Sequence, residues 1–121
     1  MGPEKLNKVL RRLMKNMFMM RIRKIDNRNR LYGEFEYQIR MPTSMFLEVR
    51  QWCWDTWGST VEYFWYNEYK RSPACNSAWC FDTDYSNTRR KTGVIYLATD
   101  QEMDLFYIKW GKDAKKKYQD F

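Results

Sequence analysis

The side chains best suited to chemistry in this 121-residue chain are few. Cys75 and Cys80 stand in C-x4-C spacing, Asp82-Thr83-Asp84 brings two carboxylates around a threonine, and Glu34 and Glu36 fall at i and i+2. Two thiolates can ligate a soft metal, a pair of aspartates a divalent cation, and two glutamates can share a proton as acid and base. Each set lacks what would complete it. The chain has no histidine, which removes His-based triads, the commonest general base and most zinc sites. A lone C-x4-C without a second pair is a weak metal motif. With five glycines in all, neither a phosphate-cradling loop nor a nucleophile elbow is present. The plainer readings are small buried or loop thiols, a solvated turn over Asp82–Thr88, and charges that blunt a sheet edge at Glu34 and Glu36. The chain is expected to act by binding, with no catalytic residue, no metal and no cofactor.

Cations are the remaining resource, and they are segregated. The net charge is +7, yet residues 1–30 hold ten Lys or Arg against two acids, leaving the rest at −1. Lys8, Arg11, Arg12, Lys15, Arg21, Arg23, Lys24, Arg28 and Arg30 are the candidate contacts to a phosphate backbone, joined by Arg89, Arg90 and Lys91 further along. Aromatics divide the opposite way, with Phe18 alone in the first thirty residues and twenty-one after it. Leu, Ile, Val and Phe make up only about 19% of the chain, so aromatic area must stand in for aliphatic area in the core. One sheet covered by two small helices has no room for all of it. Trp54, Phe64, Tyr66 and Trp79 are the candidates for an exposed patch, while Phe35, Tyr37, Trp52, Trp57, Trp65, Phe106 and Trp110 are assigned to the core.

These groups need elements to position them. From Glu4 to Met20 the spacing of Leu6, Val9, Leu10, Leu13, Met14, Met17, Phe18 and Met20 predicts a basic amphipathic helix. Residues 21–30 read as a polar connector. Strict alternation from Leu31 to Met41 predicts a strand stopped by Pro42, and Thr43 or Ser44 can cap a helix over 45–57 that ends at Gly58. The β-branched and aromatic run Thr60–Tyr69 reads as a second strand. Short strands follow over 78–81 and 91–98. Thr99-x-x-Glu102 is a capping box opening a final helix, ended by Gly111 and followed by a polar, Lys-rich tail over 112–121. The expected organisation is an arm and connector over 1–30, then one α+β domain over 31–111. Its order, β-α-β-β-β-α, suggests a ferredoxin-like plait with helices on one sheet face. No apolar run approaches the roughly 18 residues of a membrane span. Three cysteines without a secretory signal favour a reduced, intracellular setting.

Two resemblances bear on function. The stretch Arg89-Arg90-Lys91-Thr92-Gly93-Val94-Ile95-Tyr96-Leu97-Ala98 with the helix after it resembles the third strand and second helix of RNA-recognition domains. Lys91, Gly93 and Tyr96 take that motif's basic, glycine and aromatic positions, and Val94 and Ile95 replace its other aromatics. The resemblance implies bases stacking on Tyr96, with Tyr37 on the same face. Separately, Val94-Ile95-Tyr96-Leu97 with the block Thr99–Trp110, and Trp52-Cys53-Trp54-Asp55-Thr56-Trp57-Gly58, look like parts of short Trp-rich proteins of tailed bacteriophages. That resemblance implies an accessory role in host takeover, defence evasion or assembly, and no activity. The basic helix departs from the short phage pattern.

What covers the arm stays open at this level: the body, nucleic acid, a protein partner or a lipid surface. The leading expectation is an accessory protein that engages nucleic acid through the arm and exposed aromatics. The alternative is a protein-binding inhibitor or assembly factor, using the amphipathic helix and the aromatic patch against a host or phage protein.

Overall fold

The computed structural model describes residues 20–84 and 92–119, with backbone alone at Asp84 and beyond Gly111. Most of the expected N-terminal helix, and Arg89, Arg90 and Lys91, lie outside the described residues. The elements are β1 (Arg21–Lys24), β2 (Tyr37–Pro42), α1 (Thr43–Trp57), α2 (Tyr63–Glu68), β3 (Trp79–Asp84), β4 (Thr92–Leu97) and α3 (Asp100–Gln119). The four strands form one antiparallel sheet in the order β1-β2-β4-β3. The class is α+β. The expected plait order is corrected to β-β-α-α-β-β-α.

Two local corrections produce that change, and a third lengthens the last helix. Residues 21–24 are not a connector but an edge strand, with Arg21 opposite Arg40 and Lys24 opposite Tyr37. Only Ile22 in this basic strand is apolar, and its side chain is buried. The run Thr60–Tyr69 is extended only at its start, where Glu62 bridges to Phe81, and then turns into α2. In a strand, Tyr63 and Tyr66 would point to opposite sides; at i and i+3 on a helix they share one. Both go to the same core cluster, where Tyr66 packs 4.7 Å from Phe35. Third, Gly111 does not stop α3, which continues through the expected tail to Gln119.

The sheet is covered on both faces. On the first, Ile22, Tyr37, Ile39, Met41, Trp79, Phe81, Ile95 and Leu97 meet Phe46, Val49 and Cys53 of α1 and Met103, Phe106 and Trp110 of α3. On the second, Cys80, Val94 and Tyr96 meet Tyr66 of α2 together with Leu31 and Phe35. Leu31 and Phe35 were expected in phase with Tyr37. Gly33, at φ 89°, lies in a turn over 31–34 that leaves both on the second face, and the chain changes face at the bend at Glu36, between Phe35 and Tyr37.

Two ends were read correctly. Pro42 terminates β2 and itself occupies the cap position of α1, which has no side-chain cap from Thr43 or Ser44. At α3, the Thr99 hydroxyl is 2.6 Å from the Glu102 carboxylate and accepts from the Gln101 N–H at 3.3 Å. Between α1 and β3, Asn76 acts as a clasp. Its amide donates to the carbonyls of Trp57 at 2.8 Å and Ser59 at 3.2 Å, and its oxygen accepts from the Ala78 N–H at 2.8 Å.

Candidate nucleic-acid interface

The strand register lays out the second sheet face in rows. One row runs Arg23, Gln38, Tyr96, Cys80; the next runs Arg21, Arg40, Val94, Asp82. The face therefore runs from cationic at β1 to Cys80 and the half-buried carboxylate of Asp82 at β3, where α2 packs. Arg21 and Arg23 are exposed and Arg40 is half-buried. Arg40 donates to the Thr92 hydroxyl at 3.1 Å, which fixes its guanidinium along the sheet. Gln38 is buried and donates to the Tyr96 hydroxyl at 3.2 Å, so the boundary between the two halves is hydrogen-bonded. Burial pushes the Tyr96 hydroxyl up to about 12, against the opposing pull of that hydrogen bond.

Of the cations expected from the sequence, Arg21 and Arg23 converge on this face, and Arg40 was not foreseen. Its signal was its place in a strand: at β2 it alternates with Ile39 and Met41, so it had to point away from the first core. Lys24 goes to the other face, 5.6 Å over the Tyr37 ring. Arg28 is held by Asp26 in an ion pair of 2.6 Å, and its hydrogen bonds bring the Asp26 carboxyl down to about 2. Arg30 is exposed beside α2; its charge acts on the Tyr63 hydroxyl, and its carbonyl accepts from Lys70 Nζ at 3.2 Å. Lys8, Arg11, Arg12, Lys15, Arg89, Arg90 and Lys91 lie outside the described residues.

The aromatic expectation is half corrected. Phe64 is exposed and Trp54 partly so, but Tyr66 and Trp79 are buried. Trp79 lies in the first core and donates its indole N–H to the Gly58 carbonyl at 2.8 Å. Trp65, assigned to the core, is 52% exposed. Because Tyr63 and Tyr66 turn α2 inward, Phe64 and Trp65 are turned out, and Tyr69, the C-cap at φ −131° and ψ 50°, leaves the helical path and is exposed as well. Trp65 and Tyr69 are stacked, 5.7 Å between centroids and 18° between planes, and Phe64 abuts Trp65 edge-on at 5.4 Å. The stacking pair implied by the RNA-recognition resemblance does not form: Tyr37 faces α1 and α3, whereas Tyr96 faces α2.

Other chemistry is sparse. Glu34 and Glu36 sit in the segment before β2 and, with Lys24 and Thr99, line a cleft of about 380 Å³. Among the described residues no three Cys, Asp or Glu side chains are grouped to hold a metal. Asp82 lies within β3 rather than in a turn. Cys53 and Cys80 are buried, which raises both thiols well above their ordinary range. No described helix is long and apolar enough to cross a membrane. Comparison with family models, curated proteins and solved structures found no match to the chain.

Proposed function

We propose that this chain is a non-enzymatic nucleic-acid-binding domain, with the phosphate backbone running over the sheet face that bears Arg21, Arg23 and Arg40. The observation that carries the reading is the register that puts these three arginines on one sheet face, Arg21 directly opposite Arg40. Guanidinium groups bind phosphate bidentately, and Arg40 is already oriented by Thr92. The cations of residues 5–15 add to the same attraction. The resemblance to phage proteins supplies no target, and the proposal does not rest on it.

The test is fluorescence anisotropy with labelled oligonucleotides, titrated with salt. Three to five phosphate contacts give a slope of log affinity against log salt of about −2 to −3.5 on a single strand. Reversing Arg21 and Arg23 to Glu should abolish binding. Absence of binding at low salt, or binding indifferent to salt, overturns the proposal. A protein partner is the second reading, favoured by Leu105 and Ile108, which stand exposed on α3, Ile108 at 81%. Charge reversal at β1 would leave such an interface intact.

A further inference from the structure

Resting on that reading, we infer that the ligand is single-stranded, and that its bases stack on the outward aromatics of α2 and its C-cap, Trp65 and Tyr69 above all. α2 packs on the same sheet face that carries the arginines. Phe64, Trp65 and Tyr69 are 60%, 52% and 57% exposed, in ring contact with one another. A full aromatic side chain presents about 150–250 Å², so three half-exposed rings in contact make a patch of a few hundred Å², the size of the largest apolar patch on a typical monomer, which is often functional. The cations beside it decide the occupant. Lys70 and Arg71 follow Tyr69 directly, and Lys70 reaches the Arg30 carbonyl, which brings an exposed arginine from the β1–β2 connection to the same end of α2. Rings for bases thus lie beside cations for phosphates at the C-terminal end of α2.

Spacing fits a short run of nucleotides. Strands lie about 4.8 Å apart, so β1, with Arg21 and Arg23, is about 14 Å across the sheet from β3, over which α2 packs. That span is longer than one nucleotide, so the phosphates over β1 and the bases on the rings come from different nucleotides of one strand. Duplex bases have their ring faces occupied by neighbours and cannot stack on a protein ring. Only an unpaired strand offers free faces, and such stacking is tolerant of sequence.

The experiment uses full-length protein, a labelled oligothymidine and a duplex of equal length. Trp65→Ala and, separately, Tyr69→Ala should weaken oligothymidine binding about 5- to 100-fold, leave the salt slope unchanged and leave duplex binding where it was. Quenching of tryptophan fluorescence on binding should fall in Trp65→Phe. Both rings are half in solvent, so thermal melts of the variants should match the parent. If the parent binds both probes and the substitutions change neither, or weaken both equally, stacking is wrong while phosphate binding stands. If the parent binds neither probe, or if α2 substitutions abolish capture of a protein partner instead, the functional reading fails as well.

Discussion

Gly93→Ala is a single added methyl group whose cost follows from one contact. A Cβ built at Gly93 lies 2.1 Å from Cδ1 and Cγ of Phe46 and 2.6 Å from its Cβ. Ordinary carbon contacts are about 3.5–4.0 Å, so the ring must retreat by about 1.5 Å. It has little room to do so: Phe46 is buried, packs 6.2 Å from Phe81 and lies under the Arg50 guanidinium at 5.5 Å. Overpacking of this kind costs about 3 kcal/mol, the upper part of the usual range. That is a large share of a typical 5–15 kcal/mol stability, and about 10–15 °C in Tm for a chain of this size. Phe46→Ala alone should cost about 3–5 kcal/mol through the cavity it leaves. With the ring gone only the Cβ contact remains, and the gain of alanine over glycine in a strand, about 0.5 kcal/mol, offsets part of it. The double variant should therefore be about 2 kcal/mol more stable than the sum of the singles requires. Urea unfolding followed by tryptophan fluorescence measures all four corners of the cycle. If Gly93→Ala shifts the midpoint by less than the equivalent of 0.5 kcal/mol, or costs the same with and without the Phe46 ring, the close approach of α1 to β4 is wrong.

Other outcomes follow from the same contacts. Asn76→Ala removes three hydrogen bonds at the junction of α1 and β3 and should cost about 2–3 kcal/mol in urea unfolding, against nearly nothing for the exposed Ser77→Ala. In the folded protein a thiol reagent should reach Cys75 first, with Cys53 and Cys80 labelled only on unfolding; peptide mapping after a short pulse reads the order. The hydroxyls of Tyr66 and Tyr96 are pushed up to about 12 by burial, above the unfolded value near 10. Their contribution to stability is thus complete below pH 10 and lost as pH rises through about 12. Tyr96→Phe should flatten the alkaline decline in Tm, and an unchanged decline would show that this hydroxyl does not titrate with unfolding.

How far the fold could be read from sequence depended on whether one residue pattern admitted one geometry. Pro42, the capping box at Thr99 and the alternation of Tyr37, Ile39 and Met41 each permit a single local structure, and each was placed correctly. Aromatic richness does not. Tyr63-Phe64-Trp65-Tyr66 suits a strand by propensity, and distant contacts favour the helix: Tyr66 with Phe35, thirty-one residues away, and Tyr63 with Tyr96. The same ambiguity displaced the aromatic patch, since turning a strand into a helix moved Tyr66 inward and Trp65 outward. β1 was hidden for a different reason. An edge strand with one buried residue in four carries almost no hydrophobic signal, and its charges are what an edge uses to avoid unwanted pairing. The basic face was half legible: Arg21 and Arg23 stood out by charge, whereas Arg40 had its face from the alternation with Ile39 and Met41 but its neighbour Arg21 only from the register with β1.

A sheet with a separate core on each side need not come apart all at once. The core under α1 and α3 includes Trp79, Phe106, Ile39 and Leu97, while the one under α2 is smaller and rests on Tyr66, Phe35 and Tyr96. The short helix, with few residues buried beneath it, is the layer that can lift while the sheet stays paired. Amide protons of 63–68 should then exchange with solvent faster than those of β4, through openings that cost less than global unfolding. Such a hierarchy makes the side of the molecule that carries Trp65 and Tyr69 the adjustable one, and leaves the arginine-bearing strands as the fixed frame against which it adjusts.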